Sequence, residues 1–290
     1  MTDLAFCRPV QNPFSRNLVS KFLNAVFFCL AVVSLTTPHL RAEPAWKSEL
    51  TPPALGPHPR LAPIDLNFHL SWKGMINAGK LRMEFAPADA KKPTAYVIRS
   101  AASSMGPAAV LFPYQNSLWS ELDPASLRPR YFHSAEIDDK EDLSTTVRYF
   151  SDRVECREES RLLKTGVTST EDRIFRVSPV FDIFSAMLHI RSQKLADGDR
   201  IALVICPFKT PYLLRARVIS HEVHNGMAAI RLTVGMSKID RKTLELFPYK
   251  KLRRDVTLWL GDDADRVPLE FRAETFIGDV RATLAAIRRR

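Results

Sequence analysis

The sequence predicts a mainly β protein, built as a strongly curved antiparallel sheet or open β-barrel of about a dozen strands, with one apolar helix packed on the concave face. Three observations carry this prediction. Apolar and polar residues alternate in most segments after residue 63, which is the period of a half-buried strand. Most connections between these segments are short, which favours antiparallel neighbours over crossovers. One segment instead has helical spacing, and only the sheet can cover its apolar side.

The first 42 residues have the order of a secretory signal peptide: basic, then apolar, then a small residue at the cut. Three basic residues precede an apolar run at 22–35 (FLNAVFFCLAVVSL), and Ala42 offers a cleavage site just before Glu43. The run is shorter than the roughly 20 residues that span a bilayer, although retention as an uncleaved anchor is the alternative. Cleavage predicts a periplasmic or otherwise exported protein without a transmembrane span, and it excludes nucleic acid as a partner.

The composition fits one sizeable core and a basic surface. Apolar residues make up 46% of the 290 positions, and the formal net charge is +10. A basic exported protein can be drawn to anionic lipid headgroups or lipopolysaccharide phosphates. An ordinary solvated surface explains the same charge.

Residues 43–63 contain six prolines and show no hydrophobic period. This composition predicts an extended Pro-rich tether rather than folded structure. A single β-rich domain is expected to follow, from residue 64 to residue 290.

The first predicted strand runs from Ile64, and Leu66, Phe68 and Trp72 share its apolar side. The alternation resumes after a turn, so residues 64–86 predict a hairpin. Asn225-Gly226 is a second hairpin signal, because both residues tolerate the positive φ of a two-residue turn. The other alternating segments are 95–101, 117–123, 131–137, 145–150, 154–161, 201–208, 213–221, 227–237, 255–260, 267–276 and 280–287.

Residues 179–192 predict the one helix. Ser178 suits the N-cap, Pro179 the first helical position, and Asp182 the first turn. The apolar stripe expected to face the sheet consists of Val180, Ile183, Phe184, Met187, Leu188 and Ile190.

Two cysteines remain after signal removal, Cys156 and Cys206. An oxidising compartment allows a disulfide between them. Each also lies on an apolar strand face, where a free thiol behaves as a small hydrophobic side chain. Both interpretations stay open on the sequence.

The motif content of the sequence favours a protein that is not an enzyme and has no cofactor. No G-x-S-x-G elbow or glycine-rich phosphate loop occurs. The segment 221–224 (HEVH) lacks the spacing of a zinc protease and predicts a polar hairpin end. The acidic residues at 262, 263 and 265 suit either calcium or an acidic turn. Asp182 and Ser185 suit a helix start better than a catalytic dyad, which leaves an unrecognised hydrolase as the least favoured hypothesis.

Large aromatic side chains recur in the alternating segments. They indicate either an ordinary sheet core or the wall of a cavity that encloses an acyl chain. Under the second interpretation, Trp72 and Trp259 should both line the cavity, because their strands lie at opposite ends of the domain and must approach each other for the sheet to curve shut. The candidate cavity residues are Trp72, Phe85, Trp119, Tyr149, Phe184, Trp259 and Phe271.

Several segments, in this order, resemble domain-of-unknown-function family 3108, a group of exported bacterial proteins. They are SWKGMINAGKLRMEF (71–85), LFPYQNSLWSELDPASLRP (111–129), SPVFDIFSAMLHIR (178–191) and WLGDDADRVPLEF (259–271) followed by FIGDVRATL (276–284). The resemblance implies export and a β-dominated fold, and the family has no settled activity. Residues 259–271 are also similar in pattern to periplasmic lipoprotein carriers, an architectural likeness that does not establish function.

Two functions follow as hypotheses. The first is a periplasmic binding or carrier module for a lipid-like ligand, linked to envelope assembly. The second is a non-catalytic structural or interaction protein of the envelope, which has a filled core and binds an envelope protein partner. The volume left inside the sheet discriminates between them.

Overall fold

The computed structural model describes residues 43–89, 94–250, 254–275 and 278–290. The predicted signal peptide at 1–42 lies outside the described residues. Residues Glu43–Arg290 form one compact unit by themselves. No helix in the described part of the chain combines the length and apolarity needed to traverse a bilayer.

In the described part of this unit, fifteen strands and two helices follow a short 3₁₀ helix at Ala45–Glu49. The helices are α1 (Gly106–Leu111) and α2 (Ile183–Ser192). The strands are β1 (Ile64–Trp72), β2 (Ile76–Pro87), β3 (Tyr96–Ser104), β4 (Gln115–Leu122), β5 (Pro129–Ile137), β6 (Glu141–Tyr149), β7 (Val154–Leu162), β8 (Thr168–Phe175), β9 (Arg200–Ile205), β10 (Tyr212–His224), β11 (Met227–Ile239), β12 (Leu246–Pro248), β13 (Val256–Gly261), β14 (Pro268–Thr275) and β15 (Gly278–Arg289).

The strands form one curved antiparallel sheet that does not close. Its order is β8-β7-β6-β5-β4-β3-β2-β1-β15-β14-β13-β11-β10-β9, and β12 pairs with β11 off this path. The predicted β-rich class, antiparallel pairing and principal helix are confirmed. The strand β8 was not predicted from the sequence, because it is exposed along most of its length and has no apolar period. The short strand β12 and the helix α1 were not predicted either.

The helix α2 starts later than predicted, because Asp182 rather than Ser178 is its N-cap. One carboxylate oxygen of Asp182 accepts hydrogen bonds from the backbone N–H groups of Phe184 (2.7 Å) and Ser185 (2.8 Å). The Ser185 hydroxyl accepts one from the backbone N–H of Asp182 in return (2.9 Å), which completes a capping box. Asp182 and Ser185 therefore have a structural role at the start of the helix.

Arg266 completes the other end of α2. Its guanidinium donates to the backbone carbonyls of Arg191 (2.9 Å), Gln193 and Lys194 (3.1 Å). These carbonyls lie in or just beyond the last turn, where no intrahelical N–H remains to satisfy them and a cation is favoured by the helix dipole. A residue from the β13–β14 connection thus holds the helix against the sheet.

Two hydrophobic clusters meet at α2. Phe184 and Leu188 belong to the first cluster, and Ala186 and Ile190 belong to the second. The predicted apolar stripe required only one side of the helix to be covered. The structure covers α2 on more than one side. Ile183 and Met187, although part of that stripe, are only partly buried against the first cluster.

Residues 43–63 are not a free tether. Trp46 is 4% exposed and belongs to the first hydrophobic cluster. Thr51 bonds to the edge of β9, its N–H to the Ala202 carbonyl at 2.9 Å and its hydroxyl to the Ala202 N–H at 3.0 Å. A side chain on Gly56 would collide with the Ser192 carbonyl. The prolines therefore hold an extended segment against the sheet, where it covers part of an open edge.

Candidate functional site

The core face of the sheet is the side on which α2 packs. A continuous row of buried side chains crosses this face from β2 to β7: Phe85, Ile98, Ser120, Phe132, Val147 and Cys156. The Ser120 hydroxyl donates to Asp182 of the helix cap at 2.6 Å, and Phe132 lies against Phe184 with 6.4 Å between ring centroids. Burial raises the pKa of the Asp182 carboxyl, while the hydrogen bond from Ser120 opposes that shift.

The structure distributes the seven candidate cavity residues among different environments. Phe85, Phe184 and Trp259 are buried in the first cluster, and Tyr149 and Phe271 are partly buried against it. Trp72 and Trp119 are 38% and 37% exposed. Trp72 lies at the end of β1, where the strand has left the core. Of the seven residues expected to line a cavity, three are therefore buried in the core, two are partly buried against it and two are exposed.

The indole of Trp259 is held by polar neighbours. Its ring stacks on the His224 imidazole at 4.2 Å, the Arg272 guanidinium lies 5.1 Å from its centroid, and its N–H donates to Glu222 at 2.9 Å. His224 is bonded in turn to the buried carboxylate of Glu270 at 3.1 Å. The polar and charged groups around this indole do not suit an acyl chain.

One row of the core face is polar. The register aligns Ser100, Leu118, Ser134, Thr145 and Glu158 across β3 to β7. The four polar members are each at most 9% exposed, and Glu158 pairs with Lys209. A cavity for a hydrocarbon chain is lined predominantly by apolar side chains. This row therefore does not suit an acyl chain.

Cys156 and Cys206 are free, buried thiols. Burial raises the pKa of the Cys156 thiol to about 12 and also raises that of Cys206. The Cys206 thiol donates to the Phe208 carbonyl at 3.1 Å, and the Tyr149 hydroxyl donates to the Cys206 carbonyl at 2.7 Å. Thiols that stay protonated in a core are poor nucleophiles. Both cysteines are free core residues in this structure.

A groove crosses the outer face of the sheet, on the side opposite α2. It has a volume of about 710 Å³, and each of the strands β1 to β5 contributes three successive residues to it. The middle residue of each triplet points to the core, as Phe68 does at 2% exposure. The side chains on either side of that position therefore point outward and form the groove. These two rows are Asn67, Arg82, Ala101, Ser117 and Ala135, and His69, Lys80, Ser103, Gln115 and Ile137.

Small side chains on three neighbouring strands make the floor of the groove. They are Ala101, Ser103, Ser117 and Ala135. Lys80 and Arg82 supply positive charge on the side of β2. A smaller groove of about 370 Å³ adjoins it, and here Trp119 lies beside Arg99 and His133. Trp119 was predicted for the concave face, but its register position places it on the outer face.

The acidic turn after β13 has its own hydrogen-bond partners. One oxygen of Asp263 accepts from the backbone N–H groups of Asp265 (3.0 Å) and Arg266 (2.8 Å), and Asp262 bonds to the His221 ring at 2.8 Å. Asp265 pairs with Arg289 at 2.8 Å. Among the described residues, no group of three or more His, Cys, Asp or Glu side chains is arranged to hold a metal ion.

A match to a protein-family model identifies the family of this chain. The model of the family described as "Protein of unknown function (DUF3108)" matches residues 67–285. The chain is a member of the DUF3108 family. The family resemblance predicted from the sequence segments is confirmed. The comparison with curated proteins finds no match.

Two solved structures are similar to this DUF3108 chain. A β-barrel-like protein of the DUF1849 family from Brucella abortus matches with a TM-score of 0.51 at 11% identity, over 80% of this chain and 99% of that one. A protein from Bacteroides fragilis, named as an exported protein with a YmcC-like fold, matches with a TM-score of 0.32 at 6% identity, over 81% and 100% of the two chains. The first likeness supports the β-barrel-like fold alone.

His221 should titrate above the ordinary histidine range in this DUF3108 protein. Its two ring nitrogens face acceptors, the Asp262 carboxylate at 2.8 Å and the Leu195 carbonyl at 2.9 Å. Both bonds are donated only by the protonated ring, and the bond to Asp262 is the larger cause of the raised pKa. The stabilisation is complete below pH 6.5 and is lost as the pH rises through the raised value. A histidine NMR titration measures this pKa, and Asp262→Asn should lower it towards 6.5.

The matched variant His221→Gln identifies the resonance. An NMR pKa at or below 6.5 in the native chain would contradict the hydrogen-bonded geometry at His221.

Proposed function

We propose that this protein is a non-catalytic, exported binding protein of the cell envelope that engages its partner on the outer face of its sheet. The observation that carries the proposal is the contrast between the two faces. Core-face side chains and α2 fill the inside, whereas five neighbouring strands form an open groove of about 710 Å³ outside. Ligand sites in proteins are commonly clefts of about 300–1,000 Å³.

The filled interior favours this function over an enclosed lipid carrier. Phe85 and Phe184, two of the residues predicted to line a cavity, are 1% and 4% exposed and pack in the first hydrophobic cluster. The polar row from Ser100 to Glu158 adds hydroxyl and carboxylate groups that an acyl chain cannot satisfy. Export is supported by the order of basic, apolar and small residues in the first 42 positions.

The groove chemistry indicates the class of partner. Its floor of alanine and serine lets a ligand approach the backbone closely. Lys80 and Arg82 attract negative charge at the β2 end, whereas Asp142 repels it at the far end. An extended, partly acidic segment or a ligand with an anionic group suits this combination. Trp119 in the adjoining groove offers an aromatic surface for packing next to it.

Site-specific photocrosslinking in intact cells tests the groove. A photoreactive amino acid at Ser117, on the groove floor, should give a discrete crosslinked product. The same substitution at Ser169 on β8 is the matched control, because this serine is also exposed on a strand but lies away from the groove. We expect a product at position 117 and none at position 169, and mass spectrometry of the product identifies the partner.

Two outcomes would overturn the proposal. One is equal crosslinking at both positions, which indicates random collisions. The other is native mass spectrometry that finds one lipid per chain after detergent exchange. Because such a lipid must be enclosed to survive the exchange, it would restore the carrier hypothesis.

A further inference from the structure

Trp119 of β4 is an exposed aromatic side chain in the adjoining groove on the outer face. It is 37% exposed, and its ring lies against Tyr131 with 5.2 Å between ring centroids. The register places Arg99 and His133 directly beside it, on the neighbouring strands β3 and β5. An exposed indole between polar side chains offers a flat apolar surface to a ligand that is itself both polar and apolar.

Arg99 supplies a positive charge next to Trp119. It is exposed and lines the same adjoining groove. Glu84 lies opposite Arg99 in the register, but its carboxylate pairs with Arg290 at 2.8 Å. No carboxylate in the described part of the chain pairs with Arg99. Its guanidinium can therefore donate to an anionic group of a ligand.

Arg82 of β2 adds a second positive charge to this end of the groove. Its side chain is 57% exposed, and its guanidinium lies 3.8 Å from Asp65. Two arginines of the C-terminal segment bond the same carboxylate at 2.6 Å each, so Asp65 is shared and Arg82 keeps donors for a ligand. Lys80, two residues earlier on the same side of β2, lines the main groove.

The far end of the main groove has the opposite charge. Asp142 of β6 is exposed there, and its carboxylate has no ion pair with another described residue. A carboxylate repels an anion but accepts hydrogen bonds from hydroxyl groups. Neutral amide and hydroxyl side chains lie between the two ends: Asn67, Ser103, Gln115 and Ser117. A ligand that suits the whole groove is therefore anionic at one end and rich in hydroxyl groups along the rest.

The groove crosses the strands, so their backbone groups are already used within the sheet. Ala101 on the floor, for example, pairs with Arg82 on one side and with Ser117 on the other. Extended peptides are commonly recognised through main-chain hydrogen bonds at a free sheet edge, which this face does not provide. An acidic peptide would also bring negative charge to Asp142. An oligosaccharide instead bonds to side chains through its hydroxyl groups, and the C–H groups of a sugar ring pack on the negative face of an indole.

We infer that the groove binds an oligosaccharide that carries an acidic group, a carboxylate or a phosphate, at one end. The inference rests on the proposed function, because it names the ligand class of the same groove. Arg82 and Arg99 bind the acidic group, Trp119 packs against the sugar ring beside it, and neutral rings extend towards Asp142. Five strands at the usual spacing span about 19 Å, which accommodates several sugar rings rather than one.

An array of oligosaccharides in matched neutral and acidic forms tests the inference. The acidic forms carry either a terminal glucuronate or a terminal sugar phosphate, which separates the two sources of negative charge. We expect the native chain to bind one acidic series more tightly than its neutral counterparts, and calorimetry with the tightest ligand measures the Kd. Added salt should weaken the acidic series and leave the neutral one nearly unchanged, because salt screens exposed charges.

Two substitutions separate the roles of the indole and the guanidinium. Trp119→Ala should weaken binding of both forms by about tenfold or more, since buried contacts of a tryptophan often dominate binding. Arg99→Ala should reduce the preference for the acidic form by about tenfold and keep neutral binding, because it removes charge-assisted hydrogen bonds. Trp72→Ala is the matched control for the first variant, since Trp72 is 38% exposed outside both grooves. Arg217→Ala, exposed on β10, is the control for the second.

Ala101→Phe provides an independent variant. It fills the floor of the groove and leaves Trp119 and Arg99 in place, so it should abolish binding of both forms, and circular dichroism checks its fold. Three outcomes would overturn the inference: an array on which nothing binds, equal binding of acidic and neutral forms, or native binding by Ala101→Phe. A protein captured by the photocrosslinker at Ser117, on a chain that binds no oligosaccharide, would keep the proposed groove and reject only its glycan ligand.

Discussion

Replacing Phe184 by alanine should lower the free energy of unfolding by about 3–5 kcal/mol. Phe184 is 4% exposed on α2, and its ring lies 6.4 Å from that of Phe132 on β5. Removing it leaves a cavity between the helix and the sheet that the capped helix cannot easily close, because Asp182 and Arg266 hold both of its ends. Chemical denaturation with a two-state analysis measures the change.

Met187→Ala is the matched control for Phe184→Ala. Met187 belongs to the same predicted stripe but is only partly buried against the first cluster. Its truncation should therefore cost less than that of Phe184. A loss below about 1 kcal/mol for Phe184→Ala is typical of an exposed position, and it would place this part of α2 away from the sheet.

Trp46→Ala should have an effect of similar size, about 3–5 kcal/mol. The indole is 4% exposed in the first cluster, and its N–H donates to the Leu244 carbonyl at 2.8 Å. The variant loses both the buried ring and the partner of that carbonyl. A free tether before residue 64 would instead make the substitution nearly neutral. Thermal and chemical unfolding of the two chains decide between these outcomes.

Lys47→Ala serves as the control for Trp46→Ala. Lys47 is the next residue in the same 3₁₀ helix, and its ammonium forms an ion pair with the exposed carboxylate of Glu43 at 2.8 Å. Such a pair contributes roughly 0–1 kcal/mol. If both variants cost equally little, the segment 43–63 does not pack on the sheet in solution.

The strands could be predicted because alternation is a local property. Successive side chains of a strand point to opposite faces in any structure. One side of β1 therefore carries Ile64, Leu66 and Phe68. The helix α2 was predicted from its spacing, but its start was misplaced. Ser178-Pro179 has the residue types of a helix start, whereas Asp182 forms the capping box with Ser185. Local preference allows both starts, and the buried bond from Ser120 favours the second.

The packing of residues 43–63 could not be predicted from composition. Prolines are equally compatible with a free linker and with an extended segment held against a sheet edge. The difference lies in contacts distant in sequence, such as Trp46 with Leu244 and Thr51 with Ala202. The helix α1 was not predicted, because a short apolar helix without a buried side has no amphipathic period.

The sequence by itself determined the β-rich class, the antiparallel pairing, the main helix and the family, because these follow from short-range patterns of residue type. Only the tertiary structure decided which side of each strand became the inside and what filled it. Trp119 and Phe85 both lie in alternating strands, yet one is on the outer groove and the other is in the core. Alternation distinguishes two faces of a strand without saying which face another element will cover. That choice depends on the curvature of the whole sheet and on the position of α2, both of which arise from contacts across the chain.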